Sequence, residues 1–236
     1  MFKTKNELGE EYGMAKASDI GKEWNEQAKA LAEYVIGKTA DEVQGIAVDE
    51  EQRPVDADLR ASVTIKIDGY IDIIVKAVGN AQELGATDSD KLNLGVVTNI
   101  KKSKDATETD PGQIQFYSTY AAITQDADGK ITSCVLDASQ SNVQFDAMGK
   151  ITSDLTVVPL TKNELKEDYG MKAASGIGKE WYEQAEAFAE YVVGKTANEV
   201  AGIAVDEKSH PTDSDLAASV TIGIADFMAA IGKAAN

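Results

Sequence analysis

Apolar residues fall three and four positions apart over two long stretches of the chain. Ile20, Trp24, Ala28, Leu31, Ala32 and Val35 form one series, and Ile177, Trp181, Ala185, Phe188, Ala189 and Val192 form the other. At 3.6 residues per turn each series lines a single helix face. The pattern predicts a helix from near Ser18 to Gly37 and another from near Ser175 to Gly194, each stopping at a glycine suited to a C-cap. Thr4 with Glu7 and Thr161 with Glu164 have capping-box spacing and open a short helix. Thr39 with Glu42 and Thr196 with Glu199 do the same further on. The apolar stretches 70–75 and 227–231 read as closing helices.

Between these segments the period changes. Residues 95–100, 115–124, 130–136 and 142–145 are rich in Val, Ile, Thr and aromatics and nearly alternate, as strands do. Asp128-Gly129 and Met148-Gly149 supply turns, each followed by Lys-Ile-Thr-Ser. An antiparallel meander follows, with an apolar face that needs a cover. The helical stripe of a neighbouring segment is the natural one.

The helical segments are copies of each other. Thr4-Lys-Asn-Glu-Leu8 recurs as Thr161 to Leu165, Ile20-Gly-Lys-Glu-Trp24 as Ile177 to Trp181, and Ala61-Ser-Val-Thr-Ile65 as Ala218 to Ile222, all at an offset of 157 without a gap. Roughly two thirds of positions are identical, which marks a repeat architecture. The predicted fold is therefore α+β, with internally repeated helical segments flanking an antiparallel β-meander. Its parts are a first helical segment over 1–87, a β segment over 88–160, and a second helical segment over 161–236. The β segment and the second helical segment form one unit. The order reads as a cut from a longer alternating array.

Charge narrows the partners. Forty acidic against 23 basic residues leave a net charge of −17, spread evenly as −7 over 4–81, −5 over 82–160 and −6 over 161–236. Nucleic acid and anionic membrane surfaces are disfavoured, since both need clustered Lys and Arg. No apolar run approaches the ~20 residues of a membrane span, and no signal-peptide pattern opens these residues. Cys134 is the one cysteine and His210 the one histidine, which excludes intrachain disulfides, cysteine-rich metal sites and histidine triads. Cys134 reads as a buried small hydrophobe, and both tryptophans as core anchors. Nucleophile-elbow, zincin and Walker signatures are missing. Asp126-Ala-Asp128-Gly129 lacks the later ligands of a calcium loop and reads as a hairpin turn. The carboxylates around Asp49, Glu50, Glu51, Asp56 and Asp58 read as solvated loop groups. No metal site is expected.

One motif remains. Asp58-Leu-Arg-Ala-Ser62-Val-Thr64 and Asp215-Leu-Ala-Ala-Ser219-Val-Thr221 resemble the D-x-x-[ST]-G-A-T motif of the FMN-binding domain family, as do strands carrying Asp-Gly-Lys-Ile-Thr. The resemblance implies a threonine that receives FMN through a phosphoester bond. By position it makes Asp58, Ser62 and Thr64, and Asp215, Ser219 and Thr221, the cofactor-binding candidates. Here Ala, Ser and Val stand where the family has Ser/Thr, Gly and Ala, and the β-branched Val crowds the acceptor. No cofactor is expected, and FMN is the one the resemblance admits. The Tyr-Gly-Met and Ile-Gly-Lys-Glu-Trp text is also similar to uncharacterised repeat-bearing surface lipoproteins of clostridia-like anaerobes. That similarity implies an extracellular, cell-surface location for a parent protein with a signal and a lipid anchor, neither of which these residues carry. The reading is a non-catalytic cell-envelope module, derived from an FMN-binding-like fold, that binds a small molecule or another surface component. A flavin carrier in envelope electron transfer and a structural repeat that self-associates into a surface array are its alternatives.

Overall fold

The computed structural model describes residues 2–235. The chain divides into two compact units, one spanning Lys3–Glu83 and one beginning at Leu84. Helices and one antiparallel sheet make it an α+β protein.

The first unit is helical: α1 (Lys5–Leu8), α2 (Trp24–Val35), α3 (Ala40–Gln44), α4 (Ala57–Arg60) and α5 (Asp68–Gly79). Capping boxes at Thr4–Glu7 and Thr39–Glu42 open α1 and α3 as their spacing predicts. Helix α2 begins later than predicted, at Trp24 rather than near Ser18. Residues Ala15–Ala17 form a 3₁₀ turn, Gly21 takes a φ of +65°, and Glu23 caps the helix reciprocally with Glu26. The predicted stripe therefore includes a residue, Ile20, that lies on the approach to the helix. The core comprises Leu31, Val43, Leu59, Val63, Ile67 and Ile71.

The second unit starts with β1 (Lys91–Asn99), β2 (Gly112–Gln125) and β3 (Ile131–Phe145), hydrogen-bonded in the order β1-β2-β3 with antiparallel neighbours. The two strands predicted over 130–136 and 142–145 are one strand. Asp137 to Ser141 lack β-forming residues, yet their backbone pairs with Tyr120 to Phe116 of β2. Ladder hydrogen bonds hold there what side-chain composition does not advertise. After the sheet come α6 (Lys162–Leu165), α7 (Trp181–Val192), α8 (Ala197–Ala201), α9 (Ser214–Ala217) and α10 (Ala225–Ala234).

Helix α7 packs on β3, and α10 on β1 and β2. Strand alternation assigns the two sheet faces. Val97, Ala121, Ile123, Leu136 and Ala138 join Trp181, Phe188, Val192, Phe227 and Ile231 in one core. Leu92, Leu94 and Val135 project the other way and are exposed. Gly95 is the point of closest approach. A Cβ built there would lie 1.9 Å from the Ala230 carbonyl oxygen, so only glycine lets β1 reach the α10 backbone. Helices α2 and α7, α3 and α8, and α4 and α9 begin and end at the same offset of 157. Among the described residues no helix is long and apolar enough to cross a membrane.

Candidate functional site

Of the residues that the resemblance singles out, Thr64 and Thr221 serve a buried amide. Gln184 is fully buried on α7. Its Oε1 accepts from the Thr221 backbone N–H (2.8 Å) and from Thr221 Oγ1 (3.1 Å), while its Nε2 donates to Ser175 Oγ and the Lys179 carbonyl, each at 3.2 Å. Gln27 repeats every bond in the first unit, with Thr64, Ser18 and Lys22 as partners. A buried amide with all its bonds made locks the loop before the closing helix onto α2 or α7. Thr64 and Thr221 thus donate their hydroxyl protons inward, behind the fully buried Val63 and Val220. Ser62 and Ser219 donate to the carbonyls of Leu59 and Leu216. Asp58 and Asp215 are exposed in the first turns of α4 and α9, whose caps are Asp56 and Asp213. Thr64 and Thr221 are half-buried, and Arg60 within the first motif is exposed with its guanidinium 3.6 Å from Asp49 Oδ2. The spacing of 37 between Gln and Thr in both copies was the sequence signal of the lock.

Other groups noted in the sequence have local occupations. Cys134 is buried, and burial pushes its thiol up to about 12, well away from thiolate reactivity. His210 Nδ1 lies 3.1 Å from Asp206 Oδ2 in a loop. Asp49 accepts from the backbone of Glu51 and Arg53, which holds its carboxyl below the usual range. Among the described residues no cluster of His, Cys, Asp and Glu could hold a metal ion.

Two cavities among the described residues bear on function. One of about 640 Å³ lies in the first unit beside Glu10, Glu23, Asn25 and Glu26. Its Glu23 is already bonded to the backbone of Met14 and Ala15, and its Glu26 caps Glu23. The other, of about 260 Å³, opens in the second unit where β1 and β2 meet α6 and α10. Lys101, Lys102, Gln115, Tyr117, Lys162 and Asp226 are among its lining. Here the chemistry converges. Lys162 is only 4% exposed, donates to Tyr117 Oη at 3.0 Å, and sets its ammonium 4.4–4.8 Å from the ring centroids of Tyr117, Tyr169 and Trp181. Burial pushes its pKa down to about 8, the nearby Lys102 adds to this, and Asp137 opposes it. Burial also raises the Tyr117 hydroxyl, with the Tyr169 and Asp226 charges adding, so Tyr117 stays a donor-acceptor at neutral pH. Gln115 is 5% exposed; its Nε2 donates to Asn142 Oδ1, and its Oε1 has no hydrogen-bond partner. Neither Lys101 nor Lys102 is held in an ion pair among the described residues.

The cluster was not legible in the sequence. Lys162 sits in a capping motif, Tyr117 and Gln115 alternate along a strand, and Asp226 is far down the chain. The one available signal was the matched Lys5, which stands over the rings of Tyr12 and Trp24 in the first unit. No family model matches the chain, and no curated protein or solved structure matches it either.

Proposed function

We propose that the chain is a non-catalytic binding module of the cell envelope, and that the 260 Å³ cleft of the second unit takes a small molecule carrying a carboxylate or phosphate at one end and a hydroxyl or amino donor at the other. We read the whole as internally repeated helical segments with an antiparallel β-meander. The surface location rests on the resemblance to repeat-bearing lipoproteins.

The observation that carries the reading is the unpaired Oε1 of Gln115, nearly buried in a cleft bordered by three lysines. An orphaned buried acceptor is costly, by ~1–3 kcal/mol, and is relieved by a donor placed against it. In a chain of net charge −17, three lysines at one cleft are a local departure that favours an anion. Asp226 at the same cleft favours an amino group on the ligand over a second anion. The volume falls below the ~300–1,000 Å³ of ordinary cofactor pockets, which points to a metabolite-sized ligand rather than a flavin. Chemistry by Lys162 is disfavoured by its surroundings. Its ammonium stands against three rings and donates to Tyr117 Oη, which fixes it at the cleft as a charge.

Isothermal titration with inorganic phosphate and with O-phosphoserine tests this. O-phosphoserine should bind more tightly than phosphate, and Gln115→Leu should remove that preference, a change of about tenfold or more. If neither probe binds more tightly than about 1 mM, the cleft is not a ligand site.

A further inference from the structure

The first unit keeps the groups by which the second helical segment holds its sheet. In that segment Lys162 donates to Tyr117 Oη, and Asn163 Nδ2 to the Leu136 carbonyl. The Gly194 N–H and the Lys195 carbonyl bond the main chain of Ile131 at 2.7 and 2.9 Å. At the offset of 157 stand Lys5, Asn6, Gly37 and Lys38, the same four residue types, and all four are exposed. Gly37 also takes the left-handed φ of its counterpart, +81° against +83°. Lys5 stands over the rings of Tyr12 and Trp24 as Lys162 stands over those of Tyr169 and Trp181. The second unit adds Tyr117, which comes from the sheet. Positions exposed in both copies have instead exchanged charge, with Lys29 for Glu186 and Glu51 for Lys208.

The apolar part of the seat is kept as well. Ala189 on α7 and Ala230 and Ala234 on α10 are buried where these helices pack on the sheet. Their counterparts Ala32, Ile73 and Ala77 are exposed. Gly95 of β1 meets the Ala230 carbonyl and the Ala234 amide, main-chain groups that α5 presents alike at Ile73 and Ala77. A strand with glycine at that place therefore fits either helix. Among the described residues the first unit has no strand, and the one sheet of the chain already has its inner face on α7 and α10. We propose that the α2–α5 face docks the inner face of a three-stranded antiparallel β segment of the 88–160 kind, presented by a second polypeptide that leaves that face without helices. The second unit shows the seat such a segment takes, and a repeat unit that cannot bury its apolar face alone is completed by its neighbour.

A probe chain mixed with the full chain tests the proposal. The probe repeats residues 84–160 after Asn236 and carries Ala32→Glu, so that its added sheet cannot seat on its own first unit. In sedimentation the two should form a one-to-one complex with a dissociation constant of about 100 µM or tighter. Acrylamide quenching of Trp24 should be lost in that complex, while Trp181 is buried throughout. A full chain with Ile73→Ala, which gives α5 the side chain of α10, should bind as well. A full chain with Ala32→Glu, at an exposed position, should keep its circular dichroism and fail to bind. Joining residues 84–160 directly ahead of Thr4 of the full chain supplies the segment at a high effective concentration, which serves if the added segment of the probe does not fold uncovered. Trp24 should be protected in the joined chain and quenched again on Ala32→Glu. Protection confined to the joined chain would overturn a second polypeptide as the source. A probe held equally by the Ala32→Glu chain, or Trp24 still quenched in the joined chain, would overturn the docking face itself.

Discussion

Lys162 shows how one side chain can be held charged against its surroundings. Its ammonium has lost nearly all water, and three ring faces and the Tyr117 oxygen replace it. Burial still dominates and brings its pKa to about 8, against about 10.4 in an unfolded chain. Below pH 8 both states hold the proton and the cost of burial stands in full. Between pH 8 and 10 the folded state releases its proton first, so the unfolded state binds more protons and stability rises with pH. Wild-type stability measured relative to Lys162→Met should be flat below pH 8. Above it the difference should climb by at most about 1.4 kcal/mol per pH unit. Tyr117 does not interfere in this window because its pKa is raised. Denaturant titrations at half-unit pH steps read the slope, and a flat profile would mean that the rings offset burial completely. Single-residue chemistry of this kind lies outside what spacing reveals. Lys162 looked like an ordinary residue behind a capping threonine, because its three rings arrive from β2, from the 3₁₀ turn before α7 and from α7 itself.

Among the elements, β1 and α10 are joined by an absence of side chain. Gly95 sits against the Ala230 carbonyl and the Ala234 amide, where an added Cβ would be 1.9 and 2.8 Å away. Neither neighbour can move without breaking helix hydrogen bonds. Gly95→Ala should therefore separate β1 from α10 and destabilise the second unit by about 1–3 kcal/mol or more. Gly232→Ala, on the same helix with open space beyond its Cα, should be neutral to stabilising in comparison. Thermal melts of both variants decide the point, and equal behaviour would show that the close approach is not rigid. The helices themselves were readable in advance, through capping boxes and apolar stripes. Their exact starts were not, because Gly21 and the cap at Glu23 set the beginning of α2 later than its stripe suggests.

At the scale of the molecule, two copies of one text have reached different burial. Trp181 is packed beneath the sheet with Phe227 at 5.6 Å between ring centroids, and Trp24 is half-buried against Tyr70 at 6.1 Å. Trp181→Ala should cost about 3–5 kcal/mol, and Trp24→Ala distinctly less, since its removal leaves an open surface rather than a cavity. Far-UV circular dichroism in denaturant follows both units and gives the two values. Equal costs would mean that the first unit's face is covered in solution.

The sequence by itself determined the helices, the β segment and their kinship. Capping pairs, stripes and an ungapped offset are local or internal to the text, and the backbone obeys them wherever the copy stands. It also placed Thr64 and Thr221 in a recurring motif, although their role as partners of Gln27 and Gln184 needed the fold to bring residues 37 apart into contact. Only the tertiary structure decided that β3 runs unbroken from Ile131 to Phe145, since ladder pairing with β2 outweighs its polar middle. It alone gathered Lys101, Lys102, Gln115, Lys162 and Asp226 around one cleft, because strand alternation and helix packing join positions that no spacing along the chain connects. The covering of one helical copy by a sheet was likewise a tertiary outcome. Matching stripes predict matching helices, but burial depends on what packs against them, and only the second copy folds into one unit with a sheet.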